Sequence, residues 1–364
     1  MKEICVVLGT RPERIKLAPL IKLLNSKSEI NLTVIDTNQH RDLGKEVYDI
    51  FDIKPTHQCN GLEFLETGYK GNQLSAVFNY CYACIESNVL RLKTKPEAIV
   101  VQGDTTTALA GALVAFHNNI KICHVESGLR TYDLRSPYPE EGNRVIIDSI
   151  SNFCFAPTGQ SFETTFVSNE YGKTYNVGNT VVDALKYIVE NKIDYKETNK
   201  SENVLITMHR RETQGSNLTE IFNVLKELPN NENFTLLKHK NPAVLKSIEE
   251  SQIEKSKIKC VEAKGYLEFI KLLNSAKFVI TDSGGIQEEC ATLRKPCFVL
   301  RNKTERMEGV NYGFINLIGT DPKTIHEKIK NYMETGIWYR KFENVNPFGD
   351  GKSCEKIYNI LKAA

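Results

Sequence analysis

Ile4-Cys5-Val6-Val7-Leu8-Gly9-Thr10-Arg11-Pro12-Glu13 is the stretch on which the fold turns. Its apolar run does not alternate with polar residues, which suits a strand buried on both faces. Gly9 permits a tight turn and Pro12 suits the first turn of a helix, so the spacing predicts a helix over 12–25. Outward from this unit the same rhythm recurs. Short β-branched runs lie at 32–35, 98–101, 121–125 and 153–155, and again at 204–207, 234–237, 258–261, 278–281, 297–300 and 314–318. Helical patterns fall between them, for example at 105–117, 218–228 and 266–275. A βαβ series in two halves predicts an α/β protein with parallel sheets. A helical stretch at 181–189 followed by polar residues 191–203 puts the expected divide near Asn176, giving domains 1–176 and 177–346.

Composition agrees with two domains. The chain has 364 residues, against a common domain size of ~100–150. Its 41% hydrophobic and 25% charged residues are those of a globular protein rather than a disordered or fibrous one. With 47 Lys+Arg against 45 Asp+Glu the formal charge is +2, so no net field draws nucleic acid or an anionic membrane. Apolar runs such as 108–116 fall short of the ~18–20 residues that span a bilayer. Met1-Lys2-Glu3 leads straight into the first run, with no leader visible, and the expectation is a cytoplasmic protein. Ten cysteines are read as reduced thiols, as that compartment favours. Cys5, Cys123, Cys154 and Cys297 sit in apolar runs, and Cys81 and Cys84 in a helical stretch at 72–92, where packing outweighs a metal or redox reading.

In open α/β sheets ligands bind beyond the carboxyl ends of strands, and between two such domains the cleft is the expected site. After the first run come Arg11 and, one turn on, Lys16. These read equally as a phosphate site and as a capped helix with two solvated cations. Asp282-Ser283-Gly284-Gly285 follows the run at 278–281 and opens a helix carrying Glu288 and Glu289. Backbone N–H groups and Ser283 there suit a phosphate, and one of the two acids suits a ribose. No Gly-x-Gly-x-x-Gly follows the first strand, so no dinucleotide cofactor is expected, and Gly349-Asp350-Gly351-Lys352-Ser353 lacks the strand a P-loop needs.

Carboxylates gather at neighbouring strand ends in the first half. Asp104 lies in Gln102-Gly103-Asp104-Thr105-Thr106-Thr107, with a helix N-cap as its plain alternative. Glu126 ends the next strand, together with Gly128 and Arg130. Glu140 and Glu141 follow in the loop 136–144, too polar for a core. Clustered carboxylates push one another's pKa values apart, which suits a division into general acid and general base. His209, Arg210 and Arg211 follow the strand at 204–207, whereas His117 and His124 read as packing or surface residues. No His/Cys/Asp/Glu set has metal-ligand spacing.

These residues resemble the non-hydrolysing UDP-N-acetylglucosamine 2-epimerases. Gly9-Thr10-Arg11-Pro12-Glu13, Gln39-His40-Arg41, Gly103-Asp104-Thr105-Thr106-Thr107 and Val125-Glu126-Ser127-Gly128-Leu129-Arg130 carry the likeness. So do 136–141, Gly178-Asn179-Thr180, His209-Arg210-Arg211-Glu212, 281–289 and Asn346-Pro347-Phe348-Gly349-Asp350-Gly351. The resemblance implies two Rossmann-like domains in a glycosyltransferase-B-like pair, with the ligand in the interdomain cleft and a C-terminal helix (347–364) packed back on the first domain. It implies a catalytic set of Asp104, Glu126, Glu140 and His209. It makes Arg11, Lys16, Arg144, Ser283, Gly284, Gly285 and Glu289 contacts to a UDP-sugar, and Gln39, Arg210 and His239 sugar or regulatory contacts. It implies elimination of UDP to 2-acetamidoglucal and re-addition, no cofactor or metal, and a homodimer.

The chain departs from the family's pattern at Arg14, where members carry a small or aliphatic residue, and at Lys240 in His239-Lys240-Asn241-Pro242. Asp42 after Arg41, and a segment 62–74 with Lys70 but no arginine, leave activation by a second substrate molecule open. Four rivals remain at this level: a hydrolysing epimerase, an epimerase of a modified UDP-sugar, a glycosyltransferase sharing the fold, and a nucleotide-sugar sensor.

Overall fold

The apolar run at 4–8 is the interior of β1 (Lys2–Leu8), and Thr10 ends the turn that starts α1 (Arg11–Asn25). The computed structural model describes residues 1–40, 44–61, 72–193, 203–208, 216–229, 232–262 and 265–364. His209, Arg210, Arg41 and Lys70 lie outside them. The chain divides into two compact units, Met1–Tyr187 with Gly349–Ala364, and Ile188–Phe348.

In the first unit the chain continues through β2 (Ile30–Asp36), α2 (Glu46–Phe51), β3 (His57–Gln58), α3 (Gln73–Leu90), β4 (Ala98–Gln102), α4 (Thr106–His117) and β5 (Lys121–Val125). It goes on through α5 (Glu140–Ile150), β6 (Phe153–Ala156), α6 (Gly159–Ser168), β7 (Lys173–Asn176) and α7 (Thr180–Lys192). The sheet order is β3-β2-β1-β4-β5-β6-β7, all pairs parallel. The order reverses between β1 and β4, so the turns after these two strands flank the crevice where such folds take ligands. Helices cover both faces and bury Cys5, Val7, Ile99, Val101 and Ile122 at the centre.

In the second unit the chain alternates β8 (Asn203–Thr207), α8 (Ser216–Lys226), β9 (Asn233–Lys238), α9 (Pro242–Ser251), β10 (Lys259–Glu262), α10 (Tyr266–Ser275) and β11 (Phe278–Thr281). There follow α11 (Gly284–Thr292), β12 (Cys297–Val299), α12 (Met307–Asn311), β13 (Ile315–Leu317) and α13 (Pro322–Thr335). The parallel order β10-β9-β8-β11-β12-β13 repeats the first arrangement, with its reversal between β8 and β11. Here the core is richer in aromatics: Phe278, Phe298, Tyr332 and Trp338 meet edge to face.

The expected divide near Asn176 stands at the end of β7, and the unit boundary falls inside α7, where Tyr187 stacks on Phe51. The final helix α14 (Ser353–Ala363) belongs to the first unit. Asp183 accepts from the Ser353 and Cys354 N–H groups at its start, and Tyr358 and Lys362 hold Glu29.

One expectation is corrected here. Cys59 and Cys84 form a disulfide, with Cα atoms 6.5 Å apart. Cys59 donates its N–H to the Asp36 carbonyl at the end of β2, and this holds it beside α3. The two residues are 25 apart in sequence, so no local pattern announces the pair. Cys81 is a buried free thiol, as are Cys5, Cys123, Cys154 and Cys297. Among the described residues no helix is long and apolar enough to cross a membrane, and no group of three His, Cys, Asp or Glu is placed to hold a metal.

Candidate active site

In the first unit the turn after β1 is closed by its own helix. The Glu13 carboxylate accepts from the Gly9 and Thr10 N–H groups at 3.1 and 2.7 Å, and from the Thr105 hydroxyl at 2.7 Å. The loop amides are therefore turned toward Glu13, while the Arg11 side chain pairs with Glu46 at 3.7 Å. Burial pushes the Glu13 carboxyl up to about 7, against the lowering effect of these hydrogen bonds.

Lys16 is no solvated cation. Its Nζ lies 2.6 and 2.5 Å from the two Glu126 oxygens, and Gln102 also donates to Glu126. All three side chains are buried. Glu126 has φ +67°, a left-handed backbone that costs a residue with a Cβ roughly 1 kcal/mol or more and recurs at functional sites.

Asp104 does not cap α4; Thr105 does, its hydroxyl accepting from the Ala108 N–H. The Asp104 carboxylate instead pairs with buried Arg144 at 3.3 Å and keeps 29% of its side chain exposed. Burial raises its carboxyl above the ordinary value and Arg144 opposes this, while the charges of Glu126 and Glu140 add to the rise. Glu140 opens α5, after a loop with cis bonds before Pro137 and Pro139; its Oε2 is buried with no hydrogen-bond partner among the described residues. Arg144 also pairs with Glu141 at 2.9 Å, and Glu141 accepts from the Thr131 and Tyr132 N–H groups. Asp104, Glu126, Glu140, Lys16 and Arg144 thus influence one another within a single constellation.

Arg14 and Gln39 act beside it. Arg14 is fully buried, pairs with Asp36 at 3.0 Å and donates to the His40 carbonyl at 2.8 Å. Gln39 accepts from the N–H and hydroxyl of Thr107, which fixes residues 38–40 over the start of α4.

In the second unit Thr207 and Thr281, at the ends of β8 and β11, share a hydrogen bond of 2.7 Å. Ser283 is the N-cap of α11, but its hydroxyl makes no capping bond. A Cβ added at Gly285 would meet nothing within 4 Å. Packing does not explain that glycine. Glu288 turns inward to Arg306 at 2.9 Å, while Glu289 accepts from the Tyr266 hydroxyl at 3.0 Å. His239 lies near enough to Asp282 for that charge to raise its pKa, although burial lowers it more.

A family model for UDP-N-acetylglucosamine 2-epimerase matches residues 22–362. The chain belongs to this family. The UDP-N-acetylglucosamine 2-epimerase of Campylobacter jejuni is 39% identical, over 99% of this chain and 97% of its own length. The crystal structure of UDP-GlcNAc 2-epimerase from Neisseria meningitidis bound to UDP-GlcNAc is 34% identical, with a TM-score of 0.90 over all of both chains. That of Methanocaldococcus jannaschii in complex with UDP-GlcNAc and UDP is 33% identical, with a TM-score of 0.82 over all of both chains. For a UDP-N-acetylglucosamine 2-epimerase family member, the doubly parallel architecture is the one expected from the sequence. What sequence reasoning missed in this family member is the ion layer beneath the site. Lys16 and Glu126 are 110 residues apart and Arg14 and Asp36 are 22 apart. The available signal was three charged residues, Glu13, Arg14 and Lys16, at the start of a helix that is apolar at most of its other buried positions.

Proposed function

We propose that this chain is a non-hydrolysing UDP-N-acetylglucosamine 2-epimerase that interconverts UDP-GlcNAc and UDP-ManNAc in the cytoplasm, for polysaccharide synthesis, as a homodimer. The observation that carries the reading is Asp104: a carboxyl at the reversal point of the sheet, raised in pKa and held against Glu126 and Glu140. A C2 proton of an amino sugar is barely acidic, so the C1–O bond breaks first and its electron pair leaves with UDP. Arg11, Lys16 and Arg144 stabilise the departing charge, and Ser283, Gly284 and Gly285 are contacts to UDP. Glu289 takes the ribose, and His209 serves the leaving phosphate or a proton relay. Gln39, Arg210 and His239 contact the sugar or regulate it. With positive charge developing at C1, one carboxylate of the set removes the C2 proton and 2-acetamidoglucal forms. Return of a proton to C2 from the opposite face, with the oxygen of UDP re-adding to C1, gives the epimer. Atoms balance without water or redox partner. Exposed Tyr132, Leu134, Val145 and Val167 line one hollow on the first unit, and this apolar surface supports self-association.

Proton NMR of UDP-GlcNAc in D₂O tests the reading. UDP-ManNAc carrying deuterium at C2 is the expected product; free ManNAc with UDP would make the enzyme hydrolysing, and turnover only of another UDP-HexNAc would move the substrate. Light scattering at the size of one chain would refute the dimer.

A further inference from the structure

Beneath the two strand-end turns lies a polar cluster built on β5 and α5. His124 in β5 is fully buried. Its Nδ1 is 2.6 Å from Asp148 Oδ1 and its Nε2 is 2.8 Å from the Gly103 carbonyl oxygen. A carbonyl only accepts, so Nε2 donates to Gly103. Asp148, on α5, also accepts through Oδ2 from the Gly128 N–H at 3.1 Å and from Arg130 Nη2 at 2.6 Å. Burial by itself would raise the Asp148 carboxyl, but His124 and then Arg130 outweigh it and hold it below its ordinary value.

The attachment points are specific. The Gly103 carbonyl belongs to the peptide that leads into Asp104. Glu126 lies midway between His124 and Gly128, both tied to Asp148. Glu126 and Gly128 have φ +67° and +84°, a turn that does not hold itself in place cheaply. A Cβ on Gly128 would overlap the Ser161 carbonyl and the Thr165 hydroxyl of α6, so this turn is clamped from that side too. A core histidine kept only for packing needs neither contact at a strand end; an apolar side chain would fill the space at lower desolvation cost.

We infer that His124, Asp148 and Arg130 are positioning residues, a buried network that fixes both turns and so sets where Asp104 and Glu126 present their carboxylates. The catalytic consequence rests on the epimerase reading; the structural one does not. An error of about 1 Å in such groups costs on the order of 10²-fold in rate.

Two isosteric variants separate the contacts. The amide of Asn overlays Nδ1 and reaches Asp148, whereas that of Gln overlays Nε2 and reaches Gly103. In His124→Asn, kcat for epimerisation should fall about tenfold or more while KM stays within about twofold. His124→Gln should keep several times more kcat than His124→Asn at a similar melting temperature. Hydrogen exchange at 103–105 should rise more in the Asn variant than in the Gln variant, a readout that needs no turnover. Arg130→Met, at the edge of the network, should lower kcat and raise exchange at 126–129, with Arg130→Lys recovering both, and it serves if neither His124 variant folds. Equal loss of kcat in the Asn and Gln variants in proportion to melting temperature, or unchanged exchange at 103–105, would overturn the inference. An inactive wild-type chain that still shows these exchange differences would overturn the epimerase reading alone.

Discussion

The two units share a strand order and differ in what they bury. In the first, ionised side chains lie directly under the ends of the strands: Arg14 with Asp36, Lys16 with Glu126, Arg130 with Asp148. In the second, the ends of β8 and β11 meet in the neutral hydrogen bond between Thr207 and Thr281, and the buried ions Arg301, Glu305, Arg306 and Glu288 sit beyond β12. The turns differ correspondingly. Glu13 occupies the amides after β1, while the turn after β11 leaves space over Gly285. One architecture thus carries two arrangements at its strand ends, a set of carboxyls with neighbours that tune them and a turn with room over Gly285. The lesson is that repeated topology sets the place of a site, and the side chains beneath it set its chemistry.

The sharpest way to break this contrast is at Asp104. Asp104→Asn should lower kcat by roughly 10²–10⁴-fold, with UDP affinity by calorimetry nearly unchanged; comparable losses in both would mean that the first unit binds rather than reacts. Next in size is Arg14→Ala, which strands Asp36 in the core and should destabilise the first unit by about 3–5 kcal/mol. The single tryptophan, Trp338, lies in the second unit. Amide exchange in β1 and β2 should therefore accelerate while the urea midpoint of Trp338 fluorescence moves less. A fluorescence shift of the full size would show that the units unfold as one.

Glu13 gives a smaller effect with a definite sign. Its native carboxyl titrates at about 7 against 4.5 ordinarily, so between these values the native state holds a proton that the unfolded chain has released. Stability from this group is fully present below 4.5 and is lost as pH rises through about 7. Glu13→Gln should flatten the urea stability of the first unit across that window; an unchanged slope would assign it to other groups. The smallest change is expected from Gly285→Ala. The added methyl has room in the protein, so melting should be unaffected while UDP binding weakens about tenfold, ~1.4 kcal/mol. Unaltered affinity would remove the second unit's turn from the comparison.

Much of this was legible in the chain, for identifiable reasons. The central strands read clearly because burial on both faces leaves continuous apolar runs, as in β1, β4, β8 and β11. The edge strands β3 and β7 did not, since His57-Gln58 and Lys173-Thr174-Tyr175-Asn176 are half exposed and polar. Asp104, Glu126 and Glu140 could be found because strand-end position marks them. Their partners could not, because Lys16, Arg144 and the His124–Asp148 pair meet only in three dimensions. His124 read as packing, and its burial agrees; its two bonded nitrogens are invisible in sequence. Cys59 and Cys84 are lost to the same cause.

The return of Gly349–Ala364 to the first unit bears on how the molecule is made. On the ribosome, residues 1–187 emerge long before α14 exists, so the Asp183 carboxylate and the Glu29 surface wait without their covering helix. The Ile188–Phe348 unit has all of its strands in hand before translation reaches α14, and the earlier-made half is the later one to be finished.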